Sequence, residues 1–369
     1  MNKGLGRVPF SGSYRPGDVQ FLLKPIDVDP IDVADKERLI QSGQRHYSEM
    51  LSRESLPSAR YLEVFHRALA TGLGQMAQGV LDLAAIIAER HPGEITLISL
   101  ARAGTPVGVA LKHVLGEIFG RDPEHYSISI IRDRGIDRAA LRYILEQAGR
   151  DPAGLVFVDG WTGKGVIARE LRRALADFAS DQGVRLDTDL YALTDLAGSG
   201  VAPSDLDYLI PSSILNATLS GLVSRSILNE HIGPDDFHGC VYYREFAHAD
   251  LSVWFIEELL RAVRARLAAG YAPNARPVDP AMARARSTAL LAAVRESFGI
   301  RDENLIKPGI GEATRVLLRR VPERVIIRDP EAPDVAHLLE LVHEKAVRWQ
   351  ADRALPYQAV SLIKGVTDA

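Results

Sequence analysis

The chain is predicted to be an α/β protein built on a mostly parallel sheet, with helical additions on its N-terminal side and a small α/β/α unit at its C-terminal end. Three observations predict this. From residue 95 onward short apolar runs alternate with helical patterns, as expected of strands buried on both faces and joined by crossover helices. The 369 residues are too many for one ordinary domain and comfortable for two. The stretch AAGYAPNARPVDP (residues 268–280) then reads as a linker by its prolines, glycine and asparagine.

Taken in order, residues 1–32 read as an extended N-terminal arm, rich in Gly, Pro, Arg and Ser at first and then proline-bearing in FLLKPIDVDPID. From residue 33 to about 91 apolar positions recur at helical spacing. Strands are expected at ITLISL (95–100), YSISII (126–131), LVFVD (155–159) and LYALTDL (190–196), with DYLIPS (207–212) as a fifth. The helical patterns VGVALKHVLGEIF, RAALRYILEQAG and VIARELRRALADFA separate them. Residues 33–267 therefore read as the sheet domain, 268–298 as a linker and helix, and 299–369 as a small unit. In that unit the helix GEATRVLLRR, the strand RVIIRD and the helix APDVAHLLELVHEK precede the ending PYQAVSLIKG. Parallel sheets bind ligands at the carboxyl ends of their strands, so the turns after Leu100, Ile131, Asp159 and Leu196 are expected to face one crevice.

Hydrophobic residues make up 46% of the chain and charged residues 25%, with a net charge of -4 and a pI near 6.2. Those values disfavour a globally basic nucleic-acid binder and leave room for a local basic patch. The single cysteine, Cys240, excludes an intrachain disulfide and a multi-cysteine zinc site, and fits a reducing cytoplasm. No apolar run has signal-peptide or membrane-spanning length, so a cytoplasmic protein without a membrane partner is expected.

The stretch LVFVDGWTGKG, residues 155–165, is a buried strand ending in Asp159 and running through glycines into a helix. Glycines allow close backbone approach, and N–H groups at a helix start attract anions. Lys164 adds a point charge. The pattern is neither a P-loop nor GxGxxG. An ordinary strand-to-helix turn is the plainer alternative.

The turn resembles the phosphoribosyl-diphosphate (PRPP) motif of type I phosphoribosyltransferases. Asp159 matches the first acid, and Thr162, Gly163, Lys164 and Gly165 match the loop that holds the 5′-phosphate, with Gly160 and Trp161 between them. Gly160 replaces the family's second acid, so ribose contact would rest on Asp159. The loop Ala101, Arg102, Ala103, Gly104 and Thr105 stands where the family binds diphosphate, and Arg102 has the form of a bidentate clamp. Arg132 and Arg134 lie where the family has a mobile loop; a charged surface turn is the alternative. The resemblance implies displacement at the anomeric carbon of PRPP by an unidentified base, with Asp159, Arg102 and Arg134 as catalytic residues. It implies Mg2+ carried by substrate oxygens, with no metal ligands from the protein.

Further along, Ser212, Ser213 and Asn216 are candidates for an acceptor pocket, or else cap a closely packed helix. Cys240 lies near His231, His238 and His248 in sequence, so a Cys–His hydrolase is a rival reading, although a cysteine heading an apolar strand is more often a core residue. In the tail, Lys307, Gly309, Gly311, Glu312, Thr314 and Arg315 resemble the RNA-contacting signature of the L7Ae/Pelota-like fold, which implies RNA as a partner. A structural or dimerising tail is the alternative, and a homodimer is one expected state. The combination of both units, through HYSEML, SLARAGTPVG, VDGWTGKG, YLIPSSILNATLSGLVSRSILN and GPDDFHG, resembles a bacterial family encoded with tellurium-resistance (Ter) stress operons. That resemblance implies a phosphoribosyltransferase making a nucleoside-like metabolite in a stress response. A non-catalytic nucleotide- and RNA-binding regulator is one alternative. A cysteine protease using Cys240 is another, because some relatives carry that label. The acceptor base, reaction direction and RNA target stay open.

Overall fold

The computed structural model describes residues 8–364. Its centre is a five-stranded, wholly parallel sheet in the order Gln20–Leu22, Glu124–Ile128, Thr96–Leu100, Leu155–Thr162, Leu190–Asp195. Every residue of Thr96–Leu100 and of Leu190–Asp195 is buried. That is why these strands read as continuous apolar runs: both faces are covered.

The fifth strand differs from the expectation. Residues 207–212 form no strand; Pro211–Ser213 is instead a 3-10 turn. The sheet is completed by Gln20–Leu22, which pairs in parallel with Tyr126–Ile128. Phe21 and Leu22 are fully buried there. Residues 20–22 of the expected extended arm are thus an edge strand of the sheet.

One face of the sheet is covered by Thr105–Phe119 and the 32-residue helix Ala59–Arg90, against which Ser252–Ala268 packs. The long helix starts where the Ser58 hydroxyl accepts from the Tyr61 N–H, the usual way an orphan N-terminal donor is satisfied. Arg138–Arg142 and Val166–Gln182 pack on the other face, in a second apolar cluster with Ile98, Leu155 and Phe157. The expected strand 126–131 breaks at Ser129. Beyond it Ile130–Ile131 forms a small antiparallel ladder with Gly135–Ile136.

The C-terminal unit holds a four-stranded sheet in the order Ile306–Pro308, Ala359–Ile363, Pro322–Ile327, Arg348–Ala351. Pro280–Phe298 packs on it through Leu290 and Val294, which cluster with Ile306, Ile326 and Tyr357. This helix belongs to the unit's core. Ile310–Arg319 and Ala336–Glu344 cover the opposite face. Their Ile310, Ala313, Leu317 and Leu338 join one apolar cluster with Leu193, Leu209 and Met76 of the first unit, so the two sheets share a core. Among the described residues no helix is long and apolar enough to cross a membrane.

Candidate functional site at the carboxyl edge of the parallel sheet

The glycine turn lies at the carboxyl edge, as its sequence requires, but protein fills the space before it. A Cβ on Gly163 would lie 2.9 Å from the Pro308 carbonyl oxygen and 3.1 Å from Glu312 Cγ. Lys164 Nζ donates to the Glu303 carbonyl at 2.5 Å. The Gly165 N–H donates to Thr162 Oγ1 at 3.0 Å, and the Gly160 N–H to Asp159 Oδ1 at 2.8 Å. Two of the donors expected to cradle an anion, Lys164 and the Gly165 N–H, are therefore engaged within the protein. Gly165, at φ +67°, is the residue before Val166–Gln182; there glycine meets a backbone requirement.

Helix Ile310–Arg319 seats its first turn on Trp161. Gly311 lies so close that a Cβ would fall 2.6 Å from Trp161 Nε1, and the Arg315 guanidinium covers the ring at 4.3 Å from its centroid. Asp207 pins the same helix: it accepts from the N–H groups of Ile310 at 2.9 Å and Gln358 at 2.8 Å. Burial raises the Asp159 carboxyl to about 6, against the opposing pull of Arg315. Burial also lowers Lys164 to about 8, helped by Lys307. Glu312 lies below the usual carboxylate range: desolvation alone would raise it, but Arg315 and Lys307 outweigh that. Charges of both signs are thus interleaved across the joint.

The three residues expected to share one catalytic centre each engage a different protein partner. Arg102 donates to the Val223 carbonyl at 2.7 Å and to Glu54 at 2.5 Å. Arg134 pairs with Glu49 at 3.0 Å on the surface. Asp159 faces Arg315. In the loop before Thr105–Phe119, Ala101 donates its N–H to the Ile128 carbonyl at 2.8 Å. Ala103 lies beside Gly160, its carbonyl 3.7 Å from where a Cβ there would stand. Gly104 packs on the backbone of Val158 and Asp159, and Thr105 Oγ1 bonds Ser127 Oγ at 2.8 Å. Of the acceptor candidates, Asn216 lies beside Arg319, which donates to its side chain. Ser212 and Ser213 are buried with unpartnered hydroxyls.

In the tail, Thr314 is buried and bonded to the Ile310 carbonyl and to His337. Gly309 sits at φ +92° against Leu196 and Asp207, and Arg315 pairs with Glu312 at 2.9 Å. Lys307 is partly covered and lowered by burial. Of the residues expected to meet RNA, Gly309, Gly311 and Arg315 therefore contact the first unit, while Thr314 is tied within the C-terminal unit.

Cys240 pairs with Pro25 in a two-residue parallel ladder. Its side chain is fully buried, and desolvation pushes the thiol far up. Two residues earlier, His238 Nδ1 bonds Ser129 Oγ at 2.7 Å, and the His238 backbone N–H donates to Asp137 at 2.6 Å. Burial lowers the imidazole against the pull of Asp137. His231 and His248 are exposed and take no part. Glu54, Lys36, Arg225 and Arg319 also converge at this edge. No local pattern marks them, because they come from segments far apart in sequence. Among the described residues, no group of three or more His, Cys, Asp or Glu is placed to hold a metal ion.

Comparison with known proteins decides between the sequence readings. The family model described as tellurite-like stress resistance cysteine protease StiP matches residues 12–260, and a PELOTA RNA binding domain model matches residues 285–365. A protein of Acinetobacter baylyi named cysteine protease StiP is 42% identical over 369 positions, covering 96% of this chain and 94% of that one. These matches overturn the expectation of a phosphoribosyltransferase acting on PRPP and a base: the relative is named a protease, and the glycine turn's cradle is filled by the C-terminal unit. The magnesium expectation depended on that substrate's oxygens and has no independent support. The matches agree with the Ter-type stress family and the Pelota-like tail. With two thirds of its length matched by the family model, the chain belongs to the tellurite-like stress resistance cysteine protease StiP family.

Proposed function

We propose that this chain is a peptide hydrolase that uses Cys240 as its nucleophile and His238 as its base. The carrying observation is the 42% identity to a protein named a cysteine protease, in a chain whose sole cysteine is Cys240. Two local features support it. His238 immediately precedes the two-residue strand Gly239–Cys240 that pairs with Lys24–Pro25, which keeps it two positions from the cysteine along the chain. The Ser129 contact at Nδ1 leaves Nε2 as the other ring nitrogen, and a lowered imidazole is neutral at pH 7, as a base must be. Nε2 takes the thiol proton, sulfur attacks the peptide carbonyl, and the imidazolium returns the proton to the leaving amine. Water then hydrolyses the thioester.

The described conformation is closed: the thiol is buried and protonated. Turnover requires a movement that uncovers sulfur, and a ladder of only two residues offers little resistance to one. The test is hydrolysis of a fluorescent casein by wild type, Cys240→Ala and His238→Ala. Loss by a factor of about 10² or more in both variants is expected. Activity that survives intact in Cys240→Ala sinks the proposal.

A second reading, RNA binding by the tail, is favoured by the PELOTA match over residues 285–365. Because Ile310–Arg319 is seated on Trp161, binding would require the joint to open. Fluorescence anisotropy with a labelled single-stranded RNA should then give tighter binding for Asp207→Ala than for wild type. No binding by either protein would refute this reading.

A further inference from the structure

A cavity of about 350 Å³ lies between the two units, next to the Arg102–Glu54 pair. Six cationic side chains line it against two carboxylates, Glu54 and Glu344. The imbalance is not resolved inside the protein. Glu54 is already engaged by Arg102 and by the Ala217 N–H. Arg319 Nε, Arg225 Nη1 and Ser52 Oγ are buried without any hydrogen-bond partner. Lys36 is only 7% exposed, and its ammonium has no ion pair or hydrogen bond among the described residues. Unpaired buried cations are costly and are normally matched by a counter-charge. They also depress one another: Lys36 falls to about 8 and Arg319 to about 9, through burial and the neighbouring arginines.

Part of the remaining wall is apolar, interspersed with Ser52, Ser55, Ser58, Asn216 and Thr218. Leu51, Ile214, Leu215, Phe246, Leu318 and Leu341 face the same space. The volume is at the lower end of small-molecule sites, roughly 300–1,000 Å³. We propose that this interdomain cavity binds a small amphiphilic anion, its oxyanion head held by Arg319, Arg225 and Lys36 and its apolar body lying against the leucine and phenylalanine wall. Phosphate esters and carboxylates share this chemistry. Both units supply head-group donors, so the ligand also clamps them together. The site does not depend on Cys240 chemistry and stands if that proposal fails.

The test is calorimetric titration of the full chain with inorganic phosphate, phenyl phosphate and benzoate, beside Lys36→Met and Arg319→Met. Near-UV circular dichroism checks that each variant is folded. Lys36→Met is the safer variant, because the Lys36 ammonium makes no hydrogen bond or ion pair among the described residues that its loss would break. Phenyl phosphate or benzoate should bind at least tenfold tighter than inorganic phosphate, and Lys36→Met should weaken that binding at least tenfold. Preference between the two aromatic probes assigns the head group as phosphate or carboxylate. The proposal is overturned if none of the probes binds up to about 10 mM, a range that reaches beyond millimolar affinity. It is equally overturned if inorganic phosphate binds as tightly as the aromatic probes, or if binding persists undiminished in folded Lys36→Met.

Discussion

Gly311→Ala is the sharpest test of the joint between the two units. The added methyl would fall 2.6 Å from Trp161 Nε1 and 2.7 Å from Cζ2, where ordinary contact needs about 3.5–4.0 Å. The ring cannot swing away cheaply, because Arg315 lies over it at 4.3 Å. Ala in place of Gly within a helix would by itself gain up to about 1 kcal/mol. Overpacking of this kind costs about 1–3 kcal/mol and more when neighbours are fixed. With the ring fixed the clash dominates, and a net loss of about 1–2 kcal/mol is expected, or a fall of several degrees in Tm. The assay is thermal unfolding followed by tryptophan fluorescence. Gly74→Ala is the control: Gly74 lies in Ala59–Arg90, and a Cβ there meets nothing within 4 Å. It should raise Tm slightly. If Gly311→Ala raises Tm as the control does, the helix is not seated on Trp161 and the closed joint is wrong.

Other outcomes follow from the same contacts. Asp207→Ala removes two charge-assisted bonds to the C-terminal unit and should cost about 2–4 kcal/mol, read as a lower urea midpoint; an unchanged midpoint would refute the pinning role. Native Cys240 should react with iodoacetamide far more slowly than the urea-unfolded chain, since its sulfur is buried; fast stoichiometric labelling of native protein would show an open thiol. Cys240→Ser leaves a buried hydroxyl without an evident partner and should cost about 1–3 kcal/mol, measured by the same denaturation. Asp159, raised to about 6 by burial, gives stability that is full below the ordinary carboxylate pKa and lost as pH rises through about 6. Asp159→Asn should therefore flatten part of the Tm decline between about pH 4 and 6. Asp207, also raised to about 6 by burial, and Asp334, raised likewise, contribute in the same direction; an identical pH profile in the variant would show that Asp159 does not titrate there.

The strands that the chain reveals to inspection are those buried on both faces. ITLISL and LYALTDL became Thr96–Leu100 and Leu190–Asp195, mostly apolar runs buried along their whole length. Gln20–Leu22 was hidden for the opposite reason. It is a three-residue edge strand beside Pro25, and its partner, Glu124–Ile128, lies about a hundred residues away. The helix Pro280–Phe298 was visible, but its membership in the C-terminal core was not, since that depends on contacts with Ile306 and Tyr357. The cationic cavity is the extreme case. Lys36, Glu54, Arg225 and Arg319 meet beside Arg102 only after both units fold, and each of the four alone reads as a solvated charge.

The glycine turn was legible in position and misleading in purpose, and physics explains why. Glycines, helix-start N–H groups and a lysine specify that something polar must approach the backbone closely. They do not specify whether that is a phosphate oxygen or a peptide carbonyl. Here the Pro308 carbonyl lies over Gly163, the Glu303 carbonyl takes Lys164, and the Thr162 hydroxyl takes the Gly165 N–H. What does distinguish the two cases is the residue beside Asp159. A ribose site needs a second carboxylate, and Gly160 has none, although a Cβ there would meet only the Ala103 carbonyl at an unstrained 3.7 Å. Space for a Cβ exists and the acid is absent. The missing charge counts against a sugar ligand at this turn more than the glycines count for one.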